Sequence, residues 1–151
     1  MNVKTVATNR KAYHKYFVQE TIEAGIALTG SEIKSIRSGR VSLGEAYVKA
    51  DGGELWLLGV HIARYEAASH QSHEPTRPRK LLLHRKEILN LISKIAEKGF
   101  TLVPLRLYIK GHTAKVEIAL ARGKKLHDKR ESIIRREMER EMGRAIKRRG
   151  Q

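Results

Sequence analysis

The chain has 151 residues, no cysteine, and 31 Lys/Arg against 16 Asp/Glu, a formal net charge of +15. That length suits one domain with a single sizeable core; the lack of thiols excludes a disulfide framework, a thiolate metal centre and a cysteine nucleophile; and so large a basic excess favours polyanionic partners. No apolar run approaches the roughly 18 residues of a membrane span, and "MNVKTVATNRKAYHKYF" lacks the apolar stretch of a signal peptide, so a soluble intracellular protein is expected.

The first segment with character is "NRKAYHKY", where Arg10, Lys11 and Lys15 interleave with Tyr13, His14 and Tyr16. This mixture suits phosphate contact and base stacking, and equally a solvated surface. From Tyr16 to Leu28, Ile22, Ala24, Ile26 and Leu28 alternate with other residues, the period of a strand with one buried face. Gly30 breaks that run. "SEIKSIRSG" then predicts a short helix with Ser31 as N-cap, Ile33 and Ile36 on one face and Gly39 as its stop.

"VSLGEAYVKADGGELWLLGVHIARYE" predicts two strands turning at Asp51 to Gly53, with Trp56 and Leu57 assigned to the core. "EAASHQSHEPTRPRK" has no periodicity and reads as an exposed loop. Its His70, His73 and Glu74 are candidate metal donors, but they lack the H-E-x-x-H spacing and are read as loop side chains, with no metal site assigned. "HRKEILNLISKIAEKG" places Ile88, Leu89, Leu91, Ile92 and Ile95 at helical spacing before Gly99. "FTLVPLRLYIKGHTAKVEIALA" is a second hairpin, with Pro104 expected at an edge or bulge because it has no N–H.

These elements predict a mainly β fold with helices: a small OB-like antiparallel barrel, closed or partly open and most commonly five-stranded, with flanking helices. Residues 1–121 form that domain and 122–151 a basic tail, which carries 12 Lys/Arg against 5 Asp/Glu and so holds +7 of the total charge. Ile134, Met138 and Met142 recur every four residues in the tail, with Ile133 and Ile146 near the same face and Asp128 and Glu131 spaced as a capping box. A stripe this narrow is marginal as an isolated helix, so the tail is expected to be disordered or helical, ordering when a partner covers it.

Three functional readings compete: an RNA-binding module, an enzyme, and a membrane-surface protein. The chain has no G-x-x-x-x-G-K-[ST] loop, and its tail lacks Trp, Phe and Leu beyond Leu126, which weakens the second and third readings. No catalytic residue and no cofactor is assigned.

Several stretches together resemble one family, the SsrA-binding proteins, also called small protein B. They are "NRKAYHKYF", "EAGIALTGSEIKSIRSGRVSLGEAYV", "PTRPRKLLLH", "KGFTLVPLRLY" and "KVEIALARGKKLHDKRE", followed by a basic tail, in the family's order over nearly the whole chain. The resemblance implies a bacterial cytoplasmic, non-enzymatic protein that binds the tRNA-like domain of transfer-messenger RNA (tmRNA) and delivers it to stalled ribosomes for trans-translation. Protein and RNA together would imitate a tRNA, with elongation factor Tu and GTP, and alanyl-tRNA synthetase, as indirect partners. The alternative is a generic structured-RNA binder.

By position, the resemblance implies RNA contact by Asn9, Arg10, Lys11, Glu23, Arg77, Arg79, Lys80, Leu82 and His84. It implies that Gly123, Lys124, Lys125, His127, Asp128, Lys129 and Arg130 enter the small-subunit decoding centre, with His127 stacking on a base and the cations meeting ribosomal RNA phosphates. The remainder of the tail would become helical in the vacant messenger channel. Gly143 departs from the family pattern, leaving Met142 and Ile146 as alternatives for the essential apolar contact.

Overall fold

The computed structural model describes residues 2–65, 73–97, 99–124, 137, 138 and 140–142. It begins with β1 (Val3–Thr8) and α1 (Arg10–Lys15), two elements that the basic "NRKAYHKY" pattern concealed. Asn9 starts α1: its side chain accepts from the Ala12 N–H and donates to the Pro104 carbonyl, 2.9 Å away. Ala12 then buries itself against Val103, Leu105, Ala119 and Ala121, so that α1 lies over one end of the sheet's outer face.

The alternating segment forms β2 (Tyr16–Ile26), and α2 (Gly30–Arg37) follows. Thr29 caps α2, in place of the predicted Ser31, because Glu32 at the third helical position completes a capping box with it. The next run is interrupted: β3 (Val41–Ser42) gives way to a turn that sinks Leu43 into the core before β4 (Tyr47–Asp51) begins. β5 (Glu54–Leu58) pairs with β4 through the predicted hairpin at Gly52 and Gly53, both at positive φ. Leu57 is fully buried, whereas Trp56 stands half-buried on the opposite face, contrary to its assignment to the core. At Gly59 a Cβ would lie 2.6 Å from the Glu45 carbonyl oxygen, and φ is +76°, so only glycine fits this turn out of β5.

β6 (His61–Ile62) pairs with β3. Part of the predicted loop is a strand, β7 (Arg79–Leu82), held between β5 and β2. The predicted helix is α3 (Arg85–Ile95), and the second hairpin comprises β8 (Phe100–Lys110) and β9 (Thr113–Gly123). Pro104 lies in an inner strand at a register shift against β9, the bulge that its missing N–H requires.

The sheet is antiparallel, in the order β1-β8-β9-β2-β7-β5-β4, with β3 and β6 as a separate pair. It curls until β4 lies against β8, but β1 and β4 do not pair, so the expected OB-like barrel is of the open kind, with seven strands in its sheet in place of five. The inner face gathers Leu55, Leu57, Leu81, Leu107 and Ile118 with Ile36 of α2 and Leu91 of α3. Truncating such a leucine to alanine costs about 2–5 kcal/mol. The outer face carries the polar residues, and α1 leaves much of it open.

Candidate nucleic-acid interface

Glu23 projects from the outer face of β2, opposite Glu117 on β9. Tyr108 of β8 donates a hydrogen bond to Glu23 Oε2, and the Lys110 ammonium lies 3.5 Å from the same oxygen. The Tyr108 hydroxyl, supported by Lys110 and Lys115, outweighs slight burial and holds the Glu23 carboxyl below its ordinary pKa. Tyr108 itself is only 3% exposed, and burial, followed by the bond to Glu23, raises its own pKa. The Arg106 guanidinium covers its ring at 4.4 Å and pairs with Glu117 at 3.2 Å, which neutralises the acid opposite Glu23. Glu23 is thus an ionised acceptor held in place, with its side chain 40% exposed.

Beside it, Gly25 sits in register between Lys115 on β9 and Leu82 on β7. The Leu82 side chain packs over the glycine, and a cleft of about 370 Å³ lies beside it, bounded by Glu23, Leu82, His84, Glu87 and Lys115. Leu82 is 51% exposed, and His84 is exposed at the start of α3. The structure therefore brings together three of the expected RNA contacts: Glu23, Leu82 and His84. Sequence reasoning missed Gly25, Tyr108, Lys110 and Lys115. Strand alternation marks their facing, but only the registers of β8 and β2 on the intervening β9 bring Tyr108 to Glu23.

The N-terminal group divides. Arg10 and Lys11 are exposed on α1 with Tyr13, His14 and Lys15, and Lys11 pairs with Glu45 at 2.9 Å. Asn9 is 5% exposed and spends its side chain on the cap and on Pro104, so its observed role is to join α1 to β8 and not to meet RNA directly.

The "TRPRK" group divides too. Arg79 is fully buried, bonded through Nε to Glu32 at 2.5 Å and through its other nitrogens to the carbonyls of Val60, Glu74 and Pro75. A guanidinium so enclosed cannot reach a phosphate, which corrects its assignment as an RNA contact. Arg77 joins the same carboxylate at 2.5 Å from a half-exposed position. Burial pushes the Glu32 pKa up, but Arg77, the Thr29 N–H and Arg79 more than reverse this, so it lies below its ordinary value. Lys80 is partly exposed, 3.7 Å from Glu54. His73 is buried between the Ser31 hydroxyl at 2.9 Å and the Ile62 carbonyl at 2.8 Å, which gives it a structural role; His70 lies outside the described residues.

At the root of the tail, Gly123 ends β9 opposite Tyr16, and Lys124 donates to the Tyr13 carbonyl while lying 5.2 Å over the Phe17 ring. Met138 and Met142 are in helical conformation, 61% and 68% exposed. Lys125, His127, Asp128, Lys129, Arg130, Gly143 and Ile146 lie outside the described residues. Among the described residues, no helix is long and apolar enough to cross a membrane.

Comparison with known proteins adds a family to this geometry. The family described as SmpB protein matches residues 6–148. An SsrA-binding protein of Dehalococcoides mccartyi is 59% identical over 143 residues, 95% of this chain and 83% of the relative. One from Roseiflexus sp. (strain RS-1) is 61% identical over 147 residues, 97% of this chain and 93% of the relative. A solved chain described as "tmRNA-SmpB: a journey to the center of the bacterial ribosome" shares 47% identity and superposes with a TM-score of 0.65, covering 78% of this chain and 82% of that one.

Proposed function

The chain belongs to the SmpB protein family, and from that membership we propose that it binds the tRNA-like domain of tmRNA and serves the rescue of stalled ribosomes by trans-translation. The observation that carries this is the structural match, at 47% identity, to a chain described as tmRNA-SmpB in the bacterial ribosome. Family membership favours it over a generic structured-RNA binder. The protein acts by binding and positioning, with no covalent step of its own and no cofactor. Its place is the cytoplasm, and its indirect partners are elongation factor Tu with GTP and the alanyl-tRNA synthetase that charges the RNA.

Two surfaces divide the work. Residues 1–121 hold the RNA: Arg10, Lys11 and Lys80 meet phosphates, and Glu23, Leu82 and His84 meet an unpaired region. Support comes from the exposure of Arg10, Lys11 and His84 and from the outward-facing Glu23 carboxylate, while Arg77 lends its charge from its pairing with Glu32. Residues 122–151 serve the ribosome: Gly123 and Lys124 lead out of β9 toward the decoding centre, where Lys125, His127, Lys129 and Arg130 meet ribosomal RNA and Asp128 caps a helix. Exposed Met138 and Met142 support a helix whose apolar side is covered only by its partner, with Met142 or Ile146 as the decisive contact. An intact message in the channel would exclude that helix, so occupancy of the channel is what it senses.

The test is a salt-dependent titration of the full chain against the tRNA-like domain and an unrelated structured RNA of equal length. Tight preference for the tRNA-like domain that survives rising salt is expected. Equal binding that collapses with salt would reduce the protein to a generic basic surface.

A further inference from the structure

We infer that the cleft beside Glu23 takes a single unpaired guanine, with Glu23 accepting from its N1–H and exocyclic amino group and Lys115 donating to its O6. This rests on the reading that the Glu23 face meets RNA, and it names what that face recognises.

The first argument is electrostatic. On a chain of net charge +15, a cleft that sets the carboxylates of Glu23 and Glu87 beside Lys115 offers acceptors as well as a donor, where a phosphate would need donors alone. Such acceptors suit the donors on a base edge. The second is shape. Gly25, buried in register between Lys115 and Leu82, lets the Leu82 side chain pack over it, since a Cβ there would come within 3.1 Å of Leu82 Cβ and 3.6 Å of its Cδ1, and so sets where that wall of the cleft stands. The space of about 370 Å³ has an exposed apolar wall in Leu82, against which the face of a flat ring can lie, and an exposed imidazole in His84 for stacking.

The third argument counts donors and acceptors. An ionised carboxylate only accepts. Guanine alone presents two adjacent donors on its pairing edge, followed by an acceptor. Adenine and cytosine set a donor beside a ring-nitrogen acceptor, and uracil sets one donor between two carbonyls, so each would turn a lone pair toward Glu23. Lys115 supplies the donor that O6 needs and lies on the strand next to Glu23. Tyr108 and Lys110 already occupy one side of Glu23 Oε2, which fixes the plane of the carboxylate and leaves the rest of its accepting capacity for the base. Tyr108 is therefore a positioning residue.

The experiment uses the full chain and the tRNA-like domain of tmRNA, each unpaired guanine being replaced in turn by inosine, which lacks the amino group. One position should cost about tenfold in affinity for the wild type, the scale of a hydrogen bond to a charged acceptor, and less than twofold for Glu23→Gln, whose amide presents one acceptor and one donor. A chain that prefers this RNA yet shows no inosine position separating wild type from Glu23→Gln overturns the guanine assignment alone. A chain with no preference for this RNA over an unrelated one overturns the reading beneath it, and the assignment with it.

Discussion

Glu32 and Glu23 stand on neighbouring elements, each carboxylate has cations and a hydrogen-bond donor beside it, and each has a lowered pKa. They differ in where those partners leave the charge. Glu32 is fully buried, and Arg77, Arg79 and the Thr29 N–H use its oxygens to tie α2 to β7. Glu23 is held from one side only, by Tyr108 and Lys110, and its other side faces a cleft. An ion network closed on itself serves the fold, whereas one left open toward solvent has capacity for a partner. The same rule separates Arg79, enclosed by carbonyls, from Arg10, exposed on α1.

The largest expected effect sharpens the division between body and tail. Ending the chain after Lys124, which keeps the β9 pairing and the Lys124 contact with Tyr13, should leave affinity for the tRNA-like domain within about threefold, and should cut peptide tagging on stalled ribosomes by about 100-fold or more. Tagging that survives in a reconstituted translation assay would break that division.

The next effect tests the closed network. Glu32→Ala should cost about 3–5 kcal/mol in denaturant unfolding, because it strands the buried Arg79. Glu32 has a folded pKa below 4.5, so the stability it contributes is present above that pH and lost as pH falls through the lower folded value. Glu32→Gln should accordingly flatten the acid limb of the wild-type stability profile, and an unchanged limb would contradict the assignment.

A smaller effect probes the open network. In Tyr108→Phe the carboxylate loses its strongest stabiliser, and Lys110, Lys115 and the Arg106-paired Glu117 remain, with His84 and Glu87 facing the same cleft. The Glu23 pKa should rise toward its ordinary value, so RNA binding should begin to fail at a higher pH than in wild type while affinity near pH 7 changes only a few-fold. The smallest effect is at Lys11. Its exposed pair with Glu45 contributes at most about 1 kcal/mol to stability, so Lys11→Ala should mainly reduce the slope of log affinity against log salt by about 1.

Much of the sheet was legible in the sequence because alternation reports burial directly: β2, the hairpin at Gly52 and Gly53, α3 and the β8–β9 hairpin all follow from it. β1 and α1 were not, since α1 buries little beyond Ala12 and its polar face reads as a surface run. β7 was hidden because its first residue is an arginine that enters the interior by pairing with a glutamate 47 positions earlier. No local pattern announces such a partner. For the same reason "TRPRK" read as one basic patch although Arg79 and Lys80 point to opposite sides of a strand. Glu23, Leu82 and His84 entered through resemblance, and what their cleft adds is the register that sets Gly25, Tyr108 and Lys115 around them.

The contrast between a closed and an open ion network is tested most directly by the affinity of Glu23→Gln for the tRNA-like domain of tmRNA, measured with its unfolding midpoint. Loss of an outward-facing charged acceptor predicts about tenfold or greater weakening, with stability within about 0.5 kcal/mol of wild type. Unchanged affinity, or a loss of stability resembling that of Glu32→Ala, would show that Glu23 also serves only the fold.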